Sequence, residues 1–164
     1  MKNKFFRFIV LMLCLVLLLS GCGTSVTGVL NGPNPFGDPE KTKLLNELMQ
    51  NTEPQYNTGW PENEFTAHIP CPDIGTVDHI YDYTPAGRFE IAVHEISRAD
   101  SDAYIKALTE NGWVIIASAD EEYSAGTMLQ KGEEEVYLNI ATTDDAMGIL
   151  ITDESLATEL DAEE

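Results

Sequence analysis

Basic residues are scarce in this sequence, and their scarcity limits the partners that it can have. There are 9 Lys and Arg against 28 Asp and Glu, a formal net charge of −19. Nucleic-acid binding depends on clustered Lys and Arg, so a nucleic acid is not an expected partner. Electrostatic adhesion to anionic lipid is disfavoured for the same reason. Solubility is the simplest role of the acidic charge, and recruitment of a cation or a basic partner is the alternative.

The sequence also lacks an apolar run long enough to span a membrane. Phe8–Leu19 contains twelve uncharged residues, which as a helix would cover about 18 Å of a hydrocarbon core about 30 Å thick. Lys2, Lys4 and Arg7 stand before it. A positive start followed by a short apolar run is typical of a secretory signal, not of a transmembrane anchor.

The segment that follows the apolar run is Leu19-Ser20-Gly21-Cys22. It resembles the lipobox of bacterial lipoproteins, in which a branched apolar residue and two small residues precede a cysteine. The resemblance implies that Met1–Gly21 is a cleaved signal peptide and that Cys22 carries diacylglycerol and acyl chains. The protein is then expected at the extracytoplasmic face of the cell membrane, because two or more lipid chains anchor stably.

Cleavage would leave fewer basic residues and a single unmodified cysteine. The signal contains three of the nine basic residues and no acidic one, so the mature chain would have 6 basic and 28 acidic residues, a net charge of −22. Cys14 would leave with the signal and Cys22 would be lipidated, so that Cys71 is left without a disulfide partner. Between Pro70 and Pro72, with no cation nearby in sequence, Cys71 is predicted to be a buried structural thiol and not a nucleophile.

The mature chain is expected to begin with a tether over residues 22–63. Residues 23–37 are rich in Gly, Ser, Thr, Asn and Pro, a composition typical of a flexible linker. A short helix is predicted within it, over residues 39–50, with Asp38 as N-cap and Pro39 in the first turn. Residues 51–63 read as a second connector. Residues 154–164 form an acidic tail that we expect to be frayed.

Residues 64–153 are predicted to form one α+β domain. Thr76–Tyr83 and Arg88–Ile96 alternate as strands around a Thr84-Pro85-Ala86-Gly87 turn, which predicts a β-hairpin. A helix should follow, capped by Ser97 and ended at Asn111-Gly112. The remaining strand-like segments are Trp113–Ala117, expected to be buried, then Ala125–Gln130, Glu135–Ala141 and Met147–Thr152. The order is β-β-α-β-β-β-β, with one main helix packed on a mostly antiparallel sheet in two layers.

Candidate metal ligands are few, and we expect no metal and no cofactor. His68 and Cys71 have an H-x2-C spacing, with His79 and His94 further along, but a structural zinc site needs four ligands in two close pairs. The acidic runs 120–122, 133–135 and 144–145 could bind calcium. Consecutive acids point to opposite faces of a strand, however, so solvated loops and turns explain these runs better.

Catalysis has no recognisable signature in the chain, and we expect it not to be an enzyme. A glycine-framed serine and a phosphate-binding glycine loop are both absent. The aromatic residues could instead line a carbohydrate or peptide platform. Trp113 is expected in the core, whereas Tyr56 and Trp60 in the connector are the better candidates for an exposed contact, although packing on the sheet is the simpler outcome for them.

The segment from Phe89 to Trp113 consists of a strand followed by Ser97, Tyr104, Leu108 and Asn111-Gly112-Trp113. Together with the lipobox, it resembles the small lipoproteins of Firmicutes-type gut bacteria that carry a domain of unknown function. That resemblance implies an α+β fold and a Gram-positive envelope, and no catalytic residues. Two functions follow as expectations: a non-enzymatic interaction module for an envelope protein or cell-wall component, or a small-ligand or cation-binding lipoprotein serving transport or sensing.

Overall fold

The structure is a computed structural model, and it describes residues 39–56, 59–121, 124–132 and 135–157. The predicted signal Met1–Gly21, the lipidation site Cys22, the glycine-rich part of the tether, the helix cap Asp38 and residues 158–164 of the acidic tail lie outside the described residues. The chain divides into two compact units, Met1–Lys43 and Leu44–Glu164. Of the first, Pro39–Lys43 are described, as the start of a helix.

The described part of the chain contains two α-helices and seven strands. In chain order these are α1 (Pro39–Asn51), β1 (Gln55–Tyr56), β2 (Thr76–Tyr83), β3 (Arg88–His94), α2 (Arg98–Glu110), β4 (Trp113–Asp120), β5 (Ala125–Lys131), β6 (Val136–Thr142) and β7 (Ala146–Asp153). Short 3-10 turns occupy Thr66–His68, Thr84–Ala86 and Glu154–Leu156. The predicted helix at 39–50 is therefore one residue longer, and the connector contains β1, which sequence reasoning missed.

All seven strands form one sheet in the order β1-β2-β3-β7-β6-β5-β4. Each neighbouring pair is antiparallel. After the β2–β3 hairpin, α2 carries the chain to the far edge of the sheet, and β4 to β7 return as a meander until β7 pairs with β3. The α+β prediction, with one main helix on an antiparallel sheet, is confirmed.

The boundaries of α2 follow from its capping residues. The Ser97 side chain accepts a hydrogen bond from the backbone N–H of Asp100, as an N-cap does. At the other end Asn111 caps the helix and Gly112 adopts a positive φ of 90°, which ends it. Ser101, Tyr104 and Leu108 recur at helical spacing and are buried, so this side of α2 packs on the sheet.

The main core lies between α2 and the sheet. Apolar residues alternate into it along β3, β6 and β7, and β2, β4, β5, the β3–α2 loop, α2 and the segment between β1 and β2 supply the rest. The list is Phe65, Ile69, Ile80, Phe89, Ile91, Val93, Ile96, Tyr104, Leu108, Trp113, Leu129, Val136, Leu138, Ile140, Met147, Ile149 and Ile151. Phe65 stacks on Phe89 with ring centroids 5.8 Å apart, which fixes the segment between β1 and β2 onto β3.

The opposite surface of the sheet, here called the distal face, is not a simple solvated surface. On β3, Arg88, Glu90 and Ala92 alternate with the core residues and are themselves buried. Their neighbours across the ladder continue the distal face onto β2 and β7. These neighbours are Tyr83, Tyr81, His79, Thr152, Leu150 and Gly148. The centre of the sheet is therefore buried on both faces, whereas the sequence pattern indicated one.

Two strand ends differ from prediction by more than one residue, for reasons visible in the backbone. β3 ends at His94 and not at Ile96, because Glu95 adopts φ 59°, a left-handed conformation that cannot continue a strand. β4 continues to Asp120 and not to Ala117, because its pairing with β5 runs on until Asp120 lies opposite Ala125. The Thr84–Gly87 turn is confirmed, with Gly87 left-handed at φ 64°.

Candidate functional site

The edge strand β4 carries an exposed run of aliphatic side chains. Trp113 is buried in the core, but Val114, Ile115 and Ile116 are 56%, 46% and 41% exposed. The prediction that Trp113–Ala117 is a buried strand is therefore wrong beyond Trp113. The reason is position, because β4 is the last strand of the sheet and lacks a second neighbour among the described residues. We call Val114–Ile116 the β4 strip.

The two edges of the sheet differ in a way that bears on function. β1 forms one edge and has only two residues, whereas β4 forms the other with eight. Proteins normally protect an edge with a charge, a proline, a bulge or a short strand, because unpaired backbone groups can join another strand. Residues 113–119 of β4 contain no charge and no proline. The β4 edge thus has the length and composition of a strand that could accept another.

A β-bulge at Ile116 modifies this edge. The register passes from Ile115 opposite Leu129 directly to Ala117 opposite Met128, so Ile116 has no partner residue on β5. A bulge adds twist and breaks strict alternation of side chains. The bulge does not account for the exposure of the β4 strip, however, because every residue of β4 after Trp113 is exposed.

Acidic residues follow both β4 and β5 in the sequence. The β4–β5 turn contains Asp120, Glu121 and Glu122, and the loop after β5 contains Glu133–Glu135. Trp113 pairs with Lys131 at one end of the hairpin and Asp120 pairs with Ala125 at the other. Of these acids, Asp120 and Glu121 lie at the end of β4, whereas Glu122, Glu133 and Glu134 lie outside the described residues. Arg98 forms an ion pair with Asp120 and offsets one of these charges.

The distal face contains a group of buried titratable side chains. Burial raises the pKa of Glu90 to about 7. Burial first and the neighbouring Glu90 second raise the pKa of Tyr83. Tyr83 stacks on Tyr81 with ring centroids 5.7 Å apart and planes 5° from parallel. Among the described residues, neither Glu90 Oε2 nor Tyr83 Oη has a hydrogen-bond partner. The alternating pattern of β3 had placed Glu90 on a polar side, so no sequence signal marked it.

The histidines and Cys71 do not come together. His68 Nε2 lies 3.1 Å from Asp153 Oδ2, while Asp78 contacts His79 at 3.1 Å and lies 3.8 Å from His94. Within the described residues, no group of three or more His, Cys, Asp or Glu is arranged to hold a metal ion. The prediction that Cys71 is buried is wrong: it is exposed, in an irregular segment between Pro70 and Pro72. Partial burial and Asp73 raise the pKa of its thiol, which disfavours the reactive thiolate.

The three aromatic candidates differ in their exposure to solvent. Tyr56 lies on β1 and is 61% exposed, with its ring 5.5 Å from that of His79. Trp60 is half-buried and packs against the main core. Trp113 is in the core, as predicted. The exposed aromatic contact is therefore reduced to Tyr56.

The proposed lipid anchor at Cys22 lies outside the described residues. In the part of the chain that the structure covers, no helix has both the length and the apolar character needed to cross a bilayer. No protein-family model matches the sequence, and comparison with curated proteins and with solved structures likewise finds no match.

Proposed function

We propose that this chain is a membrane-anchored extracytoplasmic lipoprotein whose α+β domain is a non-enzymatic interaction module. The observation that carries the proposal is the β4 strip: three consecutive aliphatic residues exposed on a long edge strand that carries no charge over residues 113–119. Of the five large apolar side chains that are exposed in the described residues, three belong to this strip. An apolar patch with a polar surround is typical of a protein interaction surface.

Anchoring through Cys22 explains how so acidic a chain stays at a membrane surface that repels it. Cys22→Ser should abolish incorporation of labelled palmitate, leave the signal uncleaved and release any processed chain from the membrane. A Cys71→Ser variant is the matched control, and it should be labelled and processed as the wild type is. A Cys22→Ser chain that remains membrane-bound with no unprocessed form would overturn the anchoring proposal.

The interaction surface can be tested with a photo-crosslinking amino acid placed in the full-length, anchored chain. With the probe at Ile115, cells should yield a discrete adduct with an envelope component. A probe at Ile74, which is 50% exposed elsewhere on the domain, should not yield it. The variant carrying Val114→Thr, Ile115→Thr and Ile116→Thr keeps β propensity but loses apolar surface. In this variant, with the probe moved to Ser118, the adduct should be lost, while Ile74→Thr should retain it. Equal labelling from positions 115 and 74 would contradict the proposal.

A small-ligand or cation-binding lipoprotein is the second candidate, and the distal face favours it. Glu90 Oε2 and Tyr83 Oη are buried polar atoms that could each bond a ligand. Calcium, zinc and small polar solutes should then raise the unfolding temperature of the full chain, since a ligand that binds only the folded state stabilises it. Unchanged unfolding temperatures across these additions would remove this candidate.

A further inference from the structure

We infer that the distal face holds a binding site for an alkylammonium group, from a free diamine or from the side chain of a lysine, with Glu90 as its counter-ion. The inference rests on the second function proposed above, because it names the ligand of the same buried polar atoms. It follows from a row of aromatic rings on β1 and β2, from the polar atoms at the buried end of that row and from the charges around it.

Four aromatic rings form a continuous row across β1 and β2 on the distal face. The ring centroid of Tyr56 lies 5.5 Å from that of His79, that of His79 lies 5.2 Å from that of Tyr81, and that of Tyr81 lies 5.7 Å from that of Tyr83. Tyr56 is 61% exposed and Tyr83 is fully buried, so the row leads from solvent to the buried centre of the face. We call these four residues the aromatic row.

A buried carboxyl group lies beside the inner end of the aromatic row. Glu90 is directly opposite Tyr81 on the β2–β3 ladder, and the Cβ atoms of such a pair are about 5 Å apart. Glu90 is 7% exposed, and within the described residues neither Glu90 Oε2 nor Tyr83 Oη has a hydrogen-bond partner. Because buried polar atoms are normally bonded, a ligand that donates to both oxygens would be favoured here.

The acidic neighbours of the aromatic row favour a positive ligand. Burial first, and then the carboxylate of Glu90, raise the pKa values of Tyr81 and Tyr83, and Glu53 contributes at Tyr81. A negative ligand would be repelled by the same carboxylates. A cation beside Glu90 would be attracted by them and by the negative faces of the tyrosine rings.

Two basic residues of the distal face have acidic neighbours of their own. The acid that acts on Arg88 is Glu154, and His79 Nδ1 lies 3.1 Å from Asp78 Oδ2. Burial alone raises the pKa of Glu90, whereas an ion pair with either base would lower it. The carboxyl of Glu90 can therefore pair with a cation that enters from solvent.

The chemistry of these groups selects an ammonium head among cations. Calcium takes about six to eight oxygen ligands, more than one carboxyl among phenol rings supplies. A quaternary ammonium would stack on the rings but has no N–H to donate to Glu90 Oε2 or Tyr83 Oη. A primary ammonium has several donors on a compact head. Its alkyl chain would lie along the half-buried ring of Tyr81 toward the exposed ring of Tyr56.

The experiment is calorimetric titration of the full-length chain in detergent with diaminopentane, at a pH of about 8, where Glu90 is mostly ionised. Pentanediol replaces each ammonium by a hydroxyl, and the hexamethylated diamine keeps the charge but lacks N–H donors. We expect diaminopentane to bind at least about tenfold more tightly than either control. A short neutral peptide with one central Lys, compared with its acetyl-lysine counterpart, tests the second source of the ammonium group.

Protein variants locate the binding. Glu90→Gln should weaken the binding of diaminopentane at least about tenfold, and Tyr83→Phe should weaken it by about threefold or more. Thermal unfolding without ligand should show that both variants are folded. Glu62→Gln removes the same charge from an exposed position, and Tyr104→Phe removes a phenol hydroxyl from the main core. These two controls should bind diaminopentane as the wild type does.

The outcomes separate this inference from the function on which it rests. If calcium, zinc or a neutral solute raises the unfolding temperature but diaminopentane binds no better than pentanediol, the ligand-binding lipoprotein stands and the ammonium ligand is overturned. If Glu90→Gln binds diaminopentane as tightly as the wild type, the diamine is held by the acidic surface, and the inference is again overturned. Binding of the Lys peptide alone, lost in Glu90→Gln, supports the inference and assigns the ammonium to a polypeptide. If no addition binds or stabilises, both fail.

Discussion

Tyr81 and Glu90 lie directly opposite each other on the antiparallel β2–β3 hairpin, with their side chains on the distal face. Tyr83 follows on the same side of β2 and stacks on Tyr81. This arrangement places a buried carboxyl group among phenol rings. Burial raises the pKa of Glu90, and burial first and the Glu90 carboxylate second raise the pKa values of Tyr81 and Tyr83. The ionisation of one residue is thereby linked to the stability of the hairpin.

Stability should fall as the pH rises from about 4.5 to about 7, because Glu90 has a pKa of about 7 when folded against an ordinary value of 4.5. Between these values the folded state holds the extra proton, so that the free energy of unfolding decreases with pH. Glu90→Gln should remove this contribution, and it should be more stable than wild type at pH 8 by up to about 3 kcal/mol. Denaturant unfolding at pH 5 and pH 8 measures it.

The control for Glu90→Gln is Glu62→Gln, an exposed carboxyl on the connector. Its stability should follow that of the wild type at both pH values. An equal stability difference between Glu90→Gln and wild type at pH 5 and at pH 8 would contradict a buried carboxyl that titrates between them.

Two buried tyrosines should respond differently to loss of the hydroxyl group. Tyr104 Oη donates to the carbonyl oxygen of Pro70 at 2.8 Å, whereas Tyr83 Oη has no partner among the described residues. Tyr104→Phe should therefore cost about 1 kcal/mol of stability, and Tyr83→Phe should be neutral or stabilising. Chemical denaturation of both variants checks this. A loss for Tyr83→Phe as large as that for Tyr104→Phe would show that its hydroxyl is bonded in solution.

Gly87 should tolerate no side chain. Its φ is 64°, and a Cβ there would lie 2.5 Å from the carbonyl oxygen of Asp153. Gly87 also accepts a hydrogen bond from the Asp153 N–H at 2.9 Å, so that the hairpin turn is tied to the end of β7. Gly87→Ala should destabilise the domain by more than about 2 kcal/mol, from strain and from displacement of this contact.

Gly112 provides the matched comparison. It has a φ of 90°, but a Cβ there would meet nothing within 4 Å. Gly112→Ala should therefore cost only the conformational term, about 1 kcal/mol. Thermal unfolding of the two variants separates strain from close approach, and similar losses at both glycines would refute the packing argument at Gly87.

Asp153 should be important for stability although it lies at the end of a strand. Its carboxylate accepts from His68 Nε2 at 3.1 Å and from the Ser155 backbone N–H at 3.0 Å. Asp153→Ala would leave both donors without this acceptor in a half-buried setting and should cost about 1–3 kcal/mol. Asp144→Ala, an exposed acid in the β6–β7 turn, should change stability by less than about 0.5 kcal/mol. Denaturant titrations measure both variants, and equal losses of stability would contradict the prediction.

Most of the secondary structure was predictable because its signals are local. The Ser97 cap, the Asn111-Gly112 helix end and the Thr84–Gly87 turn depend on residues a few positions apart, and all three are found in the structure. β1 escaped prediction because two residues are too few to show alternation. The residues of the candidate site were harder to predict. The aliphatic run of β4 was visible, but a run of this kind is the same in a central strand and in an edge strand.

The sequence by itself determined the helix, the hairpin and the alternating strands, since capping, turn chemistry and hydrophobic period act between neighbours in the chain. It also determined that acidic runs follow β4 and β5. Only the tertiary structure decided that β4 is the last strand and that Glu90 is buried, because both depend on which strands lie beside which. Strand order is set by contacts between distant segments: β7 pairs with β3 and so leaves β4 at the edge. That order exposes Ile115 and encloses Glu90.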